Sequence, residues 1–319
     1  MSGRVRLLTD AAMDRHAAPG HPERPDRREA AAAGVRDAAG DSLDEVTPLP
    51  IDDAGLERVH ASGYLAMLAE VERDGGGWLD PDTYLVPGSL EAARFAAGAT
   101  LQAAEAASDG AASVAFAAVR PPGHHAGAAR GTGFCLFNNV AVAVAGLRAT
   151  GRATRIAIVD WDVHHGDGTQ AIFDADGDLC YTSTHQSPLY PGTGSTAERG
   201  SGVAAGTKHN RPLEPGSGDR PFVDAWRNEL LPAVEAFTPE AILVSAGYDG
   251  HRSDPLAHLE ISEAGYEAVA HAVGALSARL RLTGVALTLE GGYDLAALRA
   301  STAASVSGLL AGRAEAGSA

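Results

Sequence analysis

The sequence predicts an α/β fold: a largely parallel sheet covered by helices on both faces. Three observations support it. Short apolar runs at 114–119, 156–160, 241–246 and 285–289 alternate with stretches of helical periodicity. None of these runs is interrupted by polar residues in the alternating way of a half-exposed strand, so each reads as a strand buried on both faces. Each run also ends in polar or ionisable residues: His124 and His125 after Arg120-Pro121-Pro122-Gly123, the segment 160–167, Asp249 after Gly247-Tyr248, and Glu290-Gly291-Gly292-Tyr293. Ligands of parallel sheets bind at the carboxyl ends of the strands, so four strand ends are expected to meet at one site.

The elements follow in order. A first strand is expected at 4–9, then a polar loop at 16–25 whose three prolines exclude a helix. An Ala- and Arg-rich helix spans 26–39 and stops at Gly40, and a second strand at 43–49 is halted by Pro48 and Pro50. Short helices cover 53–59 and 62–72, and a long irregular segment containing Asp80 and Asp82 runs from Gly75 to Pro87. Helices at 89–107 and 138–147 flank the strand at 114–119, and another strand occupies 179–184. The stretch 222–237 places Trp226, Leu230 and Val234 four residues apart on one helical stripe. Residues 312–319 read as a frayed tail.

Composition narrows the function classes. The chain of 319 residues is 45% hydrophobic and 21% charged, which suits a folded soluble protein. Its formal net charge of −16 argues against a nucleic-acid or anionic-membrane surface and favours a cationic substrate. Lys208 is the sole lysine. Two cysteines without close spacing, no leader and no stretch near the ~18 apolar residues of a membrane span predict a reducing, cytoplasmic location.

The segment 160–167, Asp-Trp-Asp-Val-His-His-Gly-Asp, holds three carboxylates and two imidazoles. In an extended strand Asp160, Asp162 and His164 project to one side and Trp161 and Val163 to the other. Asp162 and His164 could then bind one metal ion with a third ligand from another strand end, for which Asp249 is the best candidate. Three protein ligands leave a position open, as a catalytic site requires, and the donor set suits Zn²⁺, Fe²⁺ or Mn²⁺. His124 and His125, on a turn stiffened by proline, are candidate general bases, with Asp160 and Asp167 as the carboxylates that orient them. Tyr293, between a glycine pair and Asp294, is placed to donate to a developing oxyanion. His165 receives no role.

These motifs, together with Gly131-Thr132-Gly133-Phe134-Cys135-Leu136-Phe137-Asn138-Asn139 and Tyr190-Pro191-Gly192-Thr193-Gly194, resemble the histone deacetylase family. The closer likeness is to its class II-like bacterial deacetylases and acetylpolyamine amidohydrolases. The resemblance implies a single arginase-like catalytic domain over 1–311 and a catalytic Zn²⁺ on Asp162, His164 and Asp249. It pairs His124 with Asp160 and His125 with Asp167, and sets Tyr293 opposite them. Gly133, Phe134, Tyr190, Leu256 and Gly292 would line a narrow substrate tunnel, with Asp82 at its rim. A structural K⁺ is implied at Asp160, Asp162, His164, Ser183 and Thr184. The expected substrate is an acylated lysine peptide or a small acylated amine. Tyr190 stands where the family usually has phenylalanine, and Leu256 where a polyamine-selective relative carries glutamate. The segment Thr207-Lys208-His209-Asn210 is polar where the family's strand is apolar. A two-metal ureohydrolase and a non-catalytic acyl-lysine binder are the competing readings.

Overall fold

A computed structural model describes residues 3–317. Ten strands occur in chain order: β1 (Val5–Leu8), β2 (Leu43–Val46), β3 (Gly77–Trp78), β4 (Tyr84–Leu85), β5 (Val114–Ala117), β6 (Ile156–Asp160), β7 (Leu179–Gln186), β8 (Lys208–Leu213), β9 (Ala241–Ala246) and β10 (Val285–Leu289). The α-helices are α1 (Asp26–Ala39), α2 (Asp53–Leu56), α3 (Ser62–Arg73), α4 (Ser89–Ser108), α5 (Asn139–Ala149), α6 (Asp167–Ile172), α7 (Asp219–Ala225), α8 (Leu231–Phe237), α9 (Glu263–Arg279) and α10 (Leu295–Ala316). Eight strands form one sheet in the order β2-β1-β5-β10-β9-β6-β7-β8, and every pairing in it is parallel. β3 and β4 form a separate antiparallel pair beside the irregular 79–83 turn.

The four strands expected to carry the site, β5, β10, β9 and β6, are adjacent at the centre of the sheet. All their residues are buried, as strands covered by helices on both faces must be. Their C-terminal ends therefore lie side by side.

Four expectations need correction. β6 ends at Asp160, so Asp162 and His164 lie in a turn and not on a strand face. Asp160 Oδ1 accepts from the Asp162 amide at 3.2 Å and Asp162 Oδ1 from the His164 amide at 2.8 Å, and these side-chain bonds curl the chain in place of a ladder. The stripe at 222–237 is real, with Trp226, Leu230 and Val234 buried, but it is split: a π turn at Trp226–Leu230 joins α7 to α8. The tail expected from Gly312 is helical through Ala316; Ser318 and Ala319 lie outside the described residues. A Cβ at Gly312 would sit 2.0 Å from the His271 carbonyl, so this glycine is where α10 presses against α9. Finally, α10 is long and apolar enough to cross a membrane, yet half of its most apolar window is buried against the rest of the fold, as in a core helix.

Buried polar groups fasten the loops that carry the site. His60, only 1% exposed, donates from Nδ1 to the Gly127 carbonyl at 3.1 Å and accepts the Asn138 amide at Nε2, 3.0 Å away. This arrangement needs the neutral ring, and burial lowers the His60 pKa from 6.5 to about 4. A base whose folded pKa is depressed contributes stability in full above its unfolded pKa, and that stability is lost as pH falls toward the folded value. Between pH 7 and 4 the unfolding free energy should therefore fall by roughly 3 kcal/mol more in the wild type than in His60→Gln. Urea titrations at several pH values measure this, and parallel curves would rule it out.

Candidate active site

Asp162, His164 and Asp249 present oxygen or nitrogen atoms that all lie within 4.8 Å of one another. His164 Nδ1 is 3.1 Å from Asp162 Oδ1 and 3.2 Å from Asp249 Oδ2, so one ring nitrogen faces two carboxylates. The other carboxylate oxygens are held by the backbone: Asp162 Oδ2 accepts the Gly291 amide at 2.7 Å, and Asp249 Oδ1 accepts the Val163 amide at 2.9 Å. Asp249 Oδ2 is buried and has no hydrogen-bond partner. Two buried carboxylates this close resist joint ionisation. Burial and the charge of Asp162 push the Asp249 pKa up, whereas burial is outweighed at Asp162 by His124 and His164, which pull its pKa down. Burial lowers the His164 pKa but the adjacent Asp162 and Asp249 carboxylates raise it, to about 10. The tripod therefore calls for positive charge, and an orphaned carboxylate oxygen beside an imidazole nitrogen fits a metal ion.

Glycine makes room for this tripod. A Cβ at Gly291 would lie 1.9 Å from Asp249 Oδ2, and one at Gly247 would lie 2.0 Å from Asp162 Oδ2. Only a backbone without side chains lets both carboxylates lie flat against it.

The histidines stand next to the tripod, their ring centroids 4.0 Å apart. His124 Nδ1 meets Asp160 Oδ2 at 3.2 Å and His125 Nδ1 meets Asp167 Oδ1 at 2.7 Å, the pairing that the family resemblance implies. Their protonation differs. At His124 burial opposes charge, but Asp162 and Asp160 outweigh it and raise the pKa well above 6.5. At His125 burial and the neighbouring His124 charge lower it to about 3, with Asp167 offsetting only part. With Nδ1–H directed at Asp167, a neutral His125 carries its lone pair on Nε2.

Three fixing groups escape a sequence reading. Glu290 is fully buried: its Oε2 accepts the amides of Gly123 and His124 at 2.7 and 3.1 Å, and its Oε1 accepts the Ser245 hydroxyl. One carboxylate thus ties the ends of β5, β9 and β10 together. Burial raises its pKa to about 7. Asp254 accepts the amides of Tyr293, Asp294 and Leu256, and Arg27 donates to the carbonyls of Gly292 and Glu290. Arg27 itself sits in a fully buried cluster with Glu23, which also binds Arg120 through both oxygens. Glu290 had a signal, an acid ending a buried strand. Glu23 and Arg27 had none, because the groups they fasten, Arg120 for the first and the Gly292 and Glu290 carbonyls for the second, are far away in sequence.

A cavity of about 240 Å³ opens above the tripod. His124, His125, Asp162, His164 and Tyr293 form its floor and lower wall; Gly133, Phe134, Tyr190, Leu256 and Asp82 line it further. Gly292 does not: its neighbour Gly291 lines the cavity, while the Gly292 carbonyl turns away to Arg27. Pro122 and Leu189 complete the lining and were not anticipated. Phe134 and Tyr293 meet edge to face at 5.9 Å. Tyr190, 40% exposed, is bonded through its hydroxyl to Thr132, which in turn donates to Asp80. His165 now has a place: Nδ1 meets the Thr193 hydroxyl at 2.8 Å, anchoring the loop that bears Tyr190. Ser183 lies opposite Asp160 in the strand register, and the Thr184 hydroxyl accepts from Trp226.

A metal-ready tripod, a histidine pair and a phenol around a lined cavity, at the carboxyl edge of a parallel sheet, define a hydrolytic site. Residues 21–309 match the histone deacetylase domain family. The chain is 39% identical over 280 residues to a probable deacetylase of Archaeoglobus fulgidus, covering 87% of this chain and 77% of that one. It is 38% identical over 246 residues to a histone deacetylase-like amidohydrolase of Pseudomonas aeruginosa, covering 77% and 65% respectively. The crystal structure of the HDA15 HD domain superposes with a TM-score of 0.90 at 36% identity, over 97% of this chain and 89% of that one. The chain belongs to the histone deacetylase family and has its arginase-like deacetylase fold. It is a hydrolytic enzyme of the deacetylase and amidohydrolase kind.

Proposed function

We propose that the enzyme hydrolyses N-acyl amines, most simply N-acetyl-lysine side chains, with Zn²⁺ held by Asp162, His164 and Asp249; Fe²⁺ suits the same donors. The observation that carries this reading is the neutral His125, its Nδ1 fixed by Asp167, standing beside a tripod that calls for a cation. When bound, the metal supplies Lewis acidity toward an acyl oxygen and lowers the pKa of a water. His125 accepts that water's proton at Nε2 as the oxygen bonds to the acyl carbon. The Tyr293 hydroxyl, kept protonated because burial raises its pKa well above 10, donates to the oxyanion. As the C–N bond breaks, the proton passes to the amine nitrogen from His125, with charged His124 beside it. Phe134 and Tyr190 flank the acyl-amine stem, and Asp82 is a rim acceptor for substrate amides.

A structural K⁺ at Asp160, Asp162, His164, Ser183 and Thr184 belongs to the same proposal, as does a cytoplasmic setting that keeps the two buried cysteines reduced. Leu256 in the lining supports lysine side chains over polyamines, because it offers an ammonium no counter-charge. A two-metal ureohydrolase is less well supported: Asp160 and Asp167 are committed to imidazoles.

A panel of acetyl-lysine peptides, acetylated polyamines and longer acyl-lysines, assayed with metal content measured in parallel, tests the proposal. Acetyl-lysine peptides should release acetate, and chelation should end release while lowering the melting temperature. Full turnover in a verified metal-free sample would sink it.

A further inference from the structure

The polar segment at 207–210 has a physical account. Lys208 opens β8 opposite Tyr181 and is 0% exposed, although it is the one lysine in the chain. Its Nζ lies 2.8 Å from the Leu179 carbonyl, 3.1 Å from the Asp176 carbonyl and 2.7 Å from the Thr207 hydroxyl. The Thr207 hydroxyl spends its own hydrogen on the Ala204 carbonyl at 2.9 Å, so it can only accept from the ammonium. Three donors thus meet three oxygens. Among the described residues no carboxylate is hydrogen-bonded to the ammonium: Asp176 turns its carboxylate to Arg148. Burial lowers the Lys208 pKa to about 8, against the opposing charges of Cys180, Asp176 and Asp174, which leaves the amine mainly charged at neutral pH.

We infer that Lys208 is a tethered monovalent cation filling an oxygen cage between the turn before β7 and the start of β8, and that the emptied cage binds a free alkylammonium ion. The cage ties β8 to the segment linking α6, which starts with Asp167, to β7, which carries Tyr181 on Asp160. It therefore braces the layer behind both histidine partners. A further consequence is that the folded chain presents no lysine ε-amine to solvent.

Two measurements test this. In Lys208→Ala the cage loses its cation and two buried carbonyls lose a donor, which destabilises the fold. n-Propylammonium, the missing part of the side chain, should restore the melting temperature, whereas tetramethylammonium at equal ionic strength, which has no N–H, should not. The wild type should respond equally to both salts. If the variant does not fold alone, refolding yield with each salt is read instead. No difference between the salts would overturn the cage. Independently, acetylation of native wild type by an N-hydroxysuccinimide ester should leave Lys208 unmodified until denaturant is added. Labelling at the rate of a lysine in an unfolded peptide would overturn the burial on which the inference rests.

Discussion

Asp249→Asn is expected to reduce acetate release to background and to strip the metal from the purified enzyme. The substitution keeps the shape and the Val163 contact but removes the charge that, with Asp162, makes the tripod anionic. Asp249 Oδ2 makes no hydrogen bond among the described residues and faces only His164 Nδ1 as an ion-pair contact, so the rest of the fold does not lean on it. The fold should accordingly survive. Metal content by atomic emission and circular dichroism separate the two effects. A variant that keeps stoichiometric metal and full turnover would remove Asp249 from the ligand set.

Tyr293→Phe should lower kcat by about 100- to 1,000-fold, the cost of losing one oxyanion donor, with KM changed by no more than about threefold. The split follows from how the loop is held. Asp254 grips the main-chain amides of Tyr293 and Asp294, and Arg27 grips the carbonyls of Gly292 and Glu290, so none of these contacts uses the phenol oxygen. The guanidinium of Arg27 lies 4.6 Å from the ring centroid and packs on phenylalanine equally well. Steady-state kinetics on one acetyl-lysine peptide suffice, and unchanged kcat would take the tyrosine out of the chemistry.

The centre of this fold was legible because its strands are long apolar runs and its chemistry uses residues that rarely follow such runs without cause. His124, His125, Asp160, Asp162, His164, Asp167 and Asp249 are all brought together as expected. Of the two edges, β2 was legible at 43–46 and β8 was not. β8 can be polar because the donors it buries find acceptors: the Lys208 ammonium in two carbonyls and a hydroxyl, and Asn210 Nδ2 in Gln170 Oε1 and the Glu198 carbonyl. Apolar pattern cannot find such a strand. The tail assigned from Gly312 failed for a related reason. Glycine there signals a close helix crossing, and only the partner helix distinguishes that from fraying. Gly291 and Gly292 exchanged places at the cavity because which neighbour faces inward depends on Arg27, far away in sequence.

In chain order β10 is the last strand of the sheet, yet it lies in the middle, between β5 and β9. Until it arrives, β2-β1-β5 and β9-β6-β7-β8 share no strand pairing. Nor can Glu290 yet fasten the turn bearing His124. The ligand candidates Asp162, His164 and Asp249 and the bases His124 and His125 therefore lie on two blocks that β10 alone joins by strand pairing, and the site is complete only once that strand is seated.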